Sequence, residues 1–364
     1  MKEKLRKKAA VKAAAGSGAP TMADVGLVAG VSAMTVSRVL NGDKNVRDIT
    51  REKVAAAIAK LKYVPNQAAR GLVGASAIRV GVLYSNPSAA YLTELLVGLL
   101  NQAGPNNVQL LVEKCEDQEW QEKAQRLLDI GVDGMILPPP LCDVAGLLDL
   151  VTGAKVPVVT VARGEPDVRA SAVRIDDYHA AYAMTRHLAA LGHARIGFII
   201  GHPNQSASAR RTAGFRAAMA DQGLPLPDEL LAQGLFTYRS GLDAAELLLS
   251  LPVRPTAIFA SNDDMAAAVV AVAHRLGLDV PGDLTVVGFD DTAMATTIWP
   301  ELTTVRQPTA EMAETAVQML VQQTRAKRAG DEPTPEQILM PHTLVRRQSD
   351  AAPRRRPQAI RGAQ

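Results

Sequence analysis

The sequence predicts an all-α helix-turn-helix head followed by an α/β body of two doubly wound parallel-sheet lobes. Three observations carry this. Residues 21 to 61 hold a compact helical pattern with its own caps. From about Ile78 short β-rich runs alternate with helices of about 10–15 residues, the mark of parallel sheets with right-handed crossovers. These units are too many for one sheet, so two similar lobes are expected.

In the head, Thr21 can cap a first helix, with Asp24 as its capping-box partner. Val25, Val28 and Ala29 form an inner face, and Gly30-Val31 makes the turn. Ser32 caps a second helix to about Leu40, stopped by Asn41-Gly42. Thr50 is expected to cap a third helix, with Val54, Ala57, Ile58 and Leu61 on one face. In such a unit the second helix presents its N-terminal side chains to the DNA major groove while the first crosses the backbone. Here Ala33 and Met34 come first, and Thr35, Ser37 and Arg38 make a polar outer face. Met34 reads as core or as outward; its place just after the cap favours outward.

In the body, strands are expected in IRVGVLYS, VQLLVEKC, DGMILPP, VPVVTVA, RIGFIIG, TAIFAS and LTVVGFDD. Helices such as AYLTELLVGLLNQAG, ARRTAGFRAAMADQG and DMAAAVVAVAHRLG lie between them. The repetition is architectural; no strong internal sequence repeat accompanies it. Residues 1–20 and 346–364 are expected to be disordered tails.

The formal charge of +3 hides an asymmetry. Residues 1–75 hold 14 Lys/Arg against 5 Asp/Glu, a net of +9, while residues 76–345 hold 20 against 31, a net of −11. The last 19 residues hold 6 Arg against Asp350. A basic head on an acidic body suits a polyanionic partner for the head alone, although a solvated charge run gives the same count. The basic N-terminus lacks the apolar core of a secretory leader. No apolar run reaches the roughly 18 residues of a membrane helix. Cys115 and Cys142 read as reduced thiols of a cytoplasmic protein.

The stretch TMADVGLVAGVSAMTVSRVLNGDKNVRDITREKVAAAIAKLKYVPNQAARGL resembles the DNA-binding head of the lac repressor family of bacterial transcription regulators. Body motifs extend the resemblance over about residues 21–345: IRVGVL, GHARIGFIIG, RTAGFRAAM, SNDDMA, VVGFDD and WPELTTVRQP. One departure is Gly26, where the family usually has alanine; a glycine in mid-helix costs roughly 1 kcal/mol. The resemblance implies a DNA-binding domain over 21–64, a hinge over 65–76 and an effector and dimerisation body over 77–345. The lobes would span about 77–175 with 307–336, and 176–306 with 337–345.

The resemblance further implies that Ala33 and Met34 face the groove and that Arg38 contacts base or phosphate. Thr35 and Ser37 lie beside it, and Thr21, Ser32 and Asn41 complete the expected DNA contacts of the head. An arginine can bond guanine through two parallel donors, whereas Ala33 and Met34 make only apolar contacts, for instance to thymine methyls. The stretch YVPNQAARGLVG, residues 63–74, reads as plain linker or as short helix. In the family it becomes a hinge helix on DNA, with Leu72 as a minor-groove wedge. Asn66, Ala69 and Arg70 accompany Leu72.

The body resembles periplasmic sugar-binding proteins, whose ligands sit between the lobes. Tyr84, Asn86, Ser206, Arg211, Phe236, Asn262 and Asp290 are expected there, each at or just beyond a strand end, where open α/β sheets bind ligands. Arg211 and Asp290 match the family's ligand positions, and Phe236 can stack on a sugar face. Tyr84 reads equally as core, and Trp299 as packed at the lobe crossover.

The function so implied is a ligand-responsive regulator, a repressor, acting as a homodimer on palindromic operator DNA in the cytoplasm, associated with the nucleoid. A sugar or sugar derivative is the expected effector, with a nucleobase open, and induction or co-repression also open. A sugar-binding protein without a DNA role is the alternative that the body alone permits; the basic head speaks against it. No enzyme is expected: GxGxxG and P-loop motifs are missing. The carboxylate pairs Asp263-Asp264 and Asp290-Asp291 are sequence neighbours that rarely face one centre. No cofactor, metal or membrane association is expected.

Overall fold

The computed structural model describes residues 20–40, 43, 46–61, 63, 77–116 and 119–354. It divides into two units, residues 1–77 and 78–364.

The first unit begins at helix α1, Met22–Ala29. The Thr21 backbone N–H and hydroxyl both donate to Asp24 Oδ2, at 2.8 and 2.6 Å, and the Asp24 N–H returns a bond to Thr21 Oγ1. This is the expected capping box. Gly30 turns the chain in the left-handed region at φ 70°. Helix α2, Ala33–Leu40, then meets α1 at 101°, inside the roughly 90–120° that a helix-turn-helix uses. Ser32 Oγ accepts the Thr35 N–H at 3.2 Å, as a cap should. Helix α3 runs Asp48–Leu61, so Thr50 lies within its first turn and does not cap it. Asp48 at the start favours the earlier beginning, since a carboxylate offsets the helix dipole there. Val25, Val36 and Val54 are fully buried, joined by Ala57 and Tyr63, with Val28, Ala29, Ile58 and Leu61 packed against them.

The second unit holds the two lobes. The first sheet has six strands: β1 Ile78–Tyr84, β2 Val108–Lys114, β3 Gly134–Leu137, β4 Val158–Val161, β5 Ser171–Arg174 and β11 Gln337–Leu339. Their order across the sheet is β11-β5-β4-β3-β1-β2, all parallel. The second sheet contains β6 Ile196–Ile200, β7 Leu231–Gln233, β8 Ala257–Ala260, β9 Thr285–Asp290, β10 Thr303–Arg306 and β12 Thr343–Val345. Its order is β12-β10-β9-β8-β6-β7, parallel except that β12 runs antiparallel to β10. Strands β3, β4, β8 and β9 are buried along their whole length, because helices cover both faces. The helices that position the site are α4 (Ala89–Ala103), α7 (Asp177–Ala190), α8 (Ser206–Asp221), α10 (Asp263–Arg275) and α12 (Thr309–Ala329). The chain crosses between lobes three times: after β5, after β10 and between β11 and β12.

Three expectations are corrected. Strand β11 pairs with β5, so residues 337–339 belong to the first lobe, not the second. The C-terminal tail does not begin at 346. Ser349 is fully buried and donates to Val286 O, and Asp350 accepts from Thr303 Oγ1, His187 Nε2 and Arg346 Nε. His193 Nε2 donates to Ala351 O at 2.8 Å. A polar run that straps strands β9 and β10 of its own, second lobe reads as tail in composition. Trp299 is 75% exposed rather than packed at the crossover.

Candidate functional site

Two surfaces carry the candidate chemistry, one in each unit. On α2, Ala33, Met34 and Arg38 are exposed; Met34 is 65% exposed and so is not core. Arg38 reaches Asp43 at only 4.0 Å, a loose pairing that leaves the guanidinium extended. Thr35 and Ser37 are half-buried, and the Thr35 hydroxyl shares a 2.9 Å bond with Ser32 Oγ. Thr21 and Ser32 therefore act first as helix caps. The Arg51 guanidinium bonds Asp43 O and Val46 O, tying the segment between α2 and α3 to the third helix. Asn41, Asn66, Ala69, Arg70 and Leu72 lie outside the described residues.

The second surface is a cavity between the lobes. It is lined from the first lobe by Asn86, Ser88, Tyr91, Pro139 and Ala162, and from the second by Gln205, Ala207, Arg211, Phe236, Asn262 and Asp290, with Gln307 on a crossover. Most follow strand ends or open the next helix, where α/β sheets present ligand sites, and Arg211 reaches in from the second turn of α8. Five of the seven expected residues meet here: Asn86, Arg211, Phe236, Asn262 and Asp290. Tyr84 and Ser206 do not line this cavity. Tyr84 ends β1, half-buried, with its carbonyl bonded to Cys115 N; Ser206 turns to another partner, described below.

Arg211 is the centre of the site and is 4% exposed. Its Nε donates to Asp177 Oδ1 at 2.8 Å, and its Nη1 donates to Ser261 O at 2.6 Å and to Asp290 Oδ1 at 3.4 Å. The guanidinium carbon stands 3.5 Å from the Phe289 ring centre and 5.8 Å from that of Phe236, a stacked cation–π position. Gln307 Nε2 donates to Asp290 Oδ1 at 2.8 Å. Burial pushes the Asp290 carboxyl up to about 7, against the pull of Arg211 and of the Gln307 bond. Burial also raises Asp177, which Arg211 opposes. Asp263, beside the cavity, is raised well above the usual range by burial and then by the charge of Asp290. It is held by the Thr292 N–H and the Thr304 hydroxyl, so its role is to brace the strand ends.

Two expected residues spend their side chains on the scaffold. Asn262 caps α10 through Met265 N and donates to Phe236 O. Asn86 accepts Ser88 N and donates to Pro139 O. By contrast, the Tyr91 hydroxyl and the Gln307 Oε1 are buried without a partner among the described residues. Buried polar atoms are nearly always bonded, so an orphan needs an explanation. Sequence reading missed both. Tyr91 sits on the apolar face of α4 and resembles core; Gln307 follows β10 directly, the same signal that marked the others. Backbone strain gathers at the same place: Ala162, Phe236 and Asp290 hold φ of 54°, 60° and 104°. Such conformations cost about 1–3 kcal/mol each and cluster at functional sites.

A helix-turn-helix with an exposed second helix in one unit and a cleft with a buried cation in the other are the features of ligand-responsive DNA-binding regulators. Comparison with known proteins places the chain within that class. Residues 21–66 match the bacterial regulatory proteins of the lacI family, and residues 185–349 match a periplasmic binding protein-like domain. Catabolite control protein A of Priestia megaterium is 34% identical over 333 residues, covering 90% of this chain and 98% of that protein. Among solved structures, a lac repressor dimer bound to operator and the anti-inducer ONPF is 28% identical with a TM-score of 0.81, over 92% of this chain and all of that one. A complex of the transcriptional regulator CelR with cellobiose is 30% identical with a TM-score of 0.69, over 91% of this chain and all of that one. The chain belongs to the lacI family of bacterial transcription regulators. It is a DNA-binding transcriptional repressor with a sugar-binding-like body, and not an enzyme.

Proposed function

We propose that this chain binds a palindromic operator as a homodimer and that a small molecule, a sugar or sugar derivative, controls that binding from the cavity between the lobes. It would act in the cytoplasm on the nucleoid. The observation that carries the effector reading is the buried Arg211–Asp177–Asp290 cluster, with the unpartnered Tyr91 hydroxyl and Gln307 carbonyl facing the same cavity. Donors and acceptors set around an aromatic face suit a ring carrying hydroxyl groups. Solved relatives bind cellobiose or a lac repressor anti-inducer, which supports the same class.

In this reading Arg38 contacts a base or phosphate, with Thr35 and Ser37 beside it, while Ala33 and Met34 pack on thymine methyls. Leu72 enters the minor groove, with Asn66, Ala69 and Arg70 alongside. Arg211 and Asp290 hold effector hydroxyls and Phe236 stacks on the ring. The cavity spans only about 30 Å³, against the roughly 300 Å³ at which small-molecule pockets begin. Effector entry therefore requires the lobes to part. To move operator occupancy from 99:1 to 1:99, the effector must favour one state by about 5.5 kcal/mol.

Operator binding by the full chain should weaken steeply with salt and disappear when residues 1–75 are removed; binding that survives the truncation would sink the DNA reading. A thermal-shift screen of carbohydrates and nucleobases identifies the effector. Asp290→Asn should then keep operator binding and lose the response. A variant released normally by that effector would rule the cleft assignment out.

A further inference from the structure

Ser206 opens α8 in the second lobe, yet its bonds run to the first. Its backbone N–H donates to Asp143 Oδ2 at 2.9 Å and its hydroxyl to Asp143 Oδ1 at 2.6 Å. Asp143 ends the short turn after β3, and the Gly164 N–H, from the loop after β4, donates to Ser206 Oγ at 2.9 Å. Gln205, the residue before α8, offers its helix no side-chain cap. A carboxylate from the opposite lobe supplies that cap instead, meeting an open backbone donor and the positive end of the helix dipole.

The backbones touch as well. A Cβ on Gly164 would lie 2.6 Å from Ala207 N and from Ser206 C, and 2.8 Å from Ala207 Cα. Only glycine permits that approach with the lobes as they stand. The residues flanking this contact, Gln205 and Ala207 on one side and Ala162 on the other, line the cavity. The contact therefore lies at the cavity wall.

We propose that Asp143, Ser206 and Gly164 form a clasp between the lobes, a set of positioning residues that sets how often the cleft opens for its effector. Its chemistry suits a contact that breaks and reforms. Arg163, on the same lobe as Asp143, stands 3.5 Å from Asp143 Oδ1 and is itself held by Cys142 O and Asp167. When the lobes part, Asp143 keeps a cation beside it and Ser206 meets water, so neither side leaves a buried charge unpaired. The contact can therefore break without stranding a charge, and an effector that favours one arrangement shifts the balance.

The test uses the full chain with Glu119→Cys and Arg239→Cys, exposed positions on the first and second lobes. Both native cysteines are buried and so resist labelling. Spin labels at the two sites report the interlobe distance by pulsed electron paramagnetic resonance, with unlabelled chain in excess so that distances stay within one protomer. Asp143→Ala and Ser206→Ala should each add a longer-distance population missing from the parent. Both should also speed hydrogen exchange at the Gly164 and Ser206 amides by about tenfold, the scale of one lost bond to a charged group. Gly164→Ala should lengthen the distance with the polar partners intact. Faster exchange with an unchanged distance would make Asp143 a helix cap only and overturn the proposal, as would unchanged exchange. Ser206→Ala deletes one hydroxyl and remains decisive if the other variants fold poorly.

Discussion

The head presents Ala33, Met34 and Arg38 exposed on one eight-residue helix, while the cleft assembles its candidate contacts from separate elements and buries most of them. Arg38 and Arg211 make the contrast concrete. The first extends from α2 with a 4.0 Å pairing to Asp43. The second is 4% exposed, with carboxylates from residues 34 and 79 positions away and an aromatic face against it. An exposed reader costs the fold almost nothing, so its loss registers only in binding. A buried centre ties together helix and strand ends of the second lobe, so its loss registers in stability as well.

The largest expected effect follows from that difference. Arg211→Ala leaves Asp177 and Asp290 buried without their cation, and breaking such a cluster costs about 3–5 kcal/mol. Denaturant unfolding of the body should move by that amount. An unchanged midpoint would mean that the cluster does not brace the fold. Arg38→Ala should leave the same unfolding curve in place, because exposed pairs contribute little. It should instead remove about 1–3 kcal/mol of discrimination at one operator position, read by titrating single-base operator variants. Equal losses across all variants would make Arg38 a phosphate contact.

The same contrast decides what was legible in the sequence. The head is coded locally: Thr21 with Asp24, Gly30, and Ser32 with Thr35 are each neighbours within three residues or a single turn residue, and each lies where the sequence predicts. Only the start of α3 differs. The cleft is coded by topology. Phe236, Asn262 and Asp290 were reachable because each stands near a strand end, and Arg211, inside α8, through the family resemblance. Tyr91 was not, since an aromatic on a helix's apolar face looks like core until its hydroxyl proves unpartnered. Ser206 satisfied the same positional rule and yet turned to Asp143, because position along a strand does not say which lobe a side chain will face. The three-residue strands β7, β11 and β12 give too few residues for a periodic signal, and the strap at 346–354 hides behind a polar composition.

The next effect is smaller and depends on pH. The Asp290 carboxyl is raised from 3.8 to about 7 in the folded chain, chiefly by burial. Between those values the folded chain holds a proton that the unfolded chain releases. Its contribution to stability is thus complete below about 4 and lost as pH rises toward 7. Asp290→Asn should flatten the decline over this window, so that the variant gains on the parent as pH rises. Asp177 and Asp263 shift the same way and should keep part of the slope. A parallel pair of stability curves would show that Asp290 ionises freely in the fold. No such pH difference is expected from Arg38→Ala, which removes no buried acid.

The smallest effect concerns the head, at Gly26, where two local terms oppose each other. Alanine at a mid-helix position gains roughly 1 kcal/mol over glycine in propensity. The space at this glycine is nevertheless closed: an added Cβ would stand 2.7 Å from Val31 O and 3.3 Å from Ala33 N, both backbone atoms of the turn between α1 and α2. The Val31 N–H donates to Gly26 O at 2.9 Å, so the turn cannot retreat without lengthening that bond. The steric term should outweigh the propensity term, leaving Gly26→Ala slightly less stable, by less than about 1 kcal/mol. Hydrogen exchange over residues 22–40 of the full chain resolves a change of that size. Faster exchange in the variant would show that glycine sets how closely the two helices approach. Slower exchange would show that the turn yields and that the glycine is a plain cost, leaving the angle between α1 and α2 to Gly30 and the Ser32 cap.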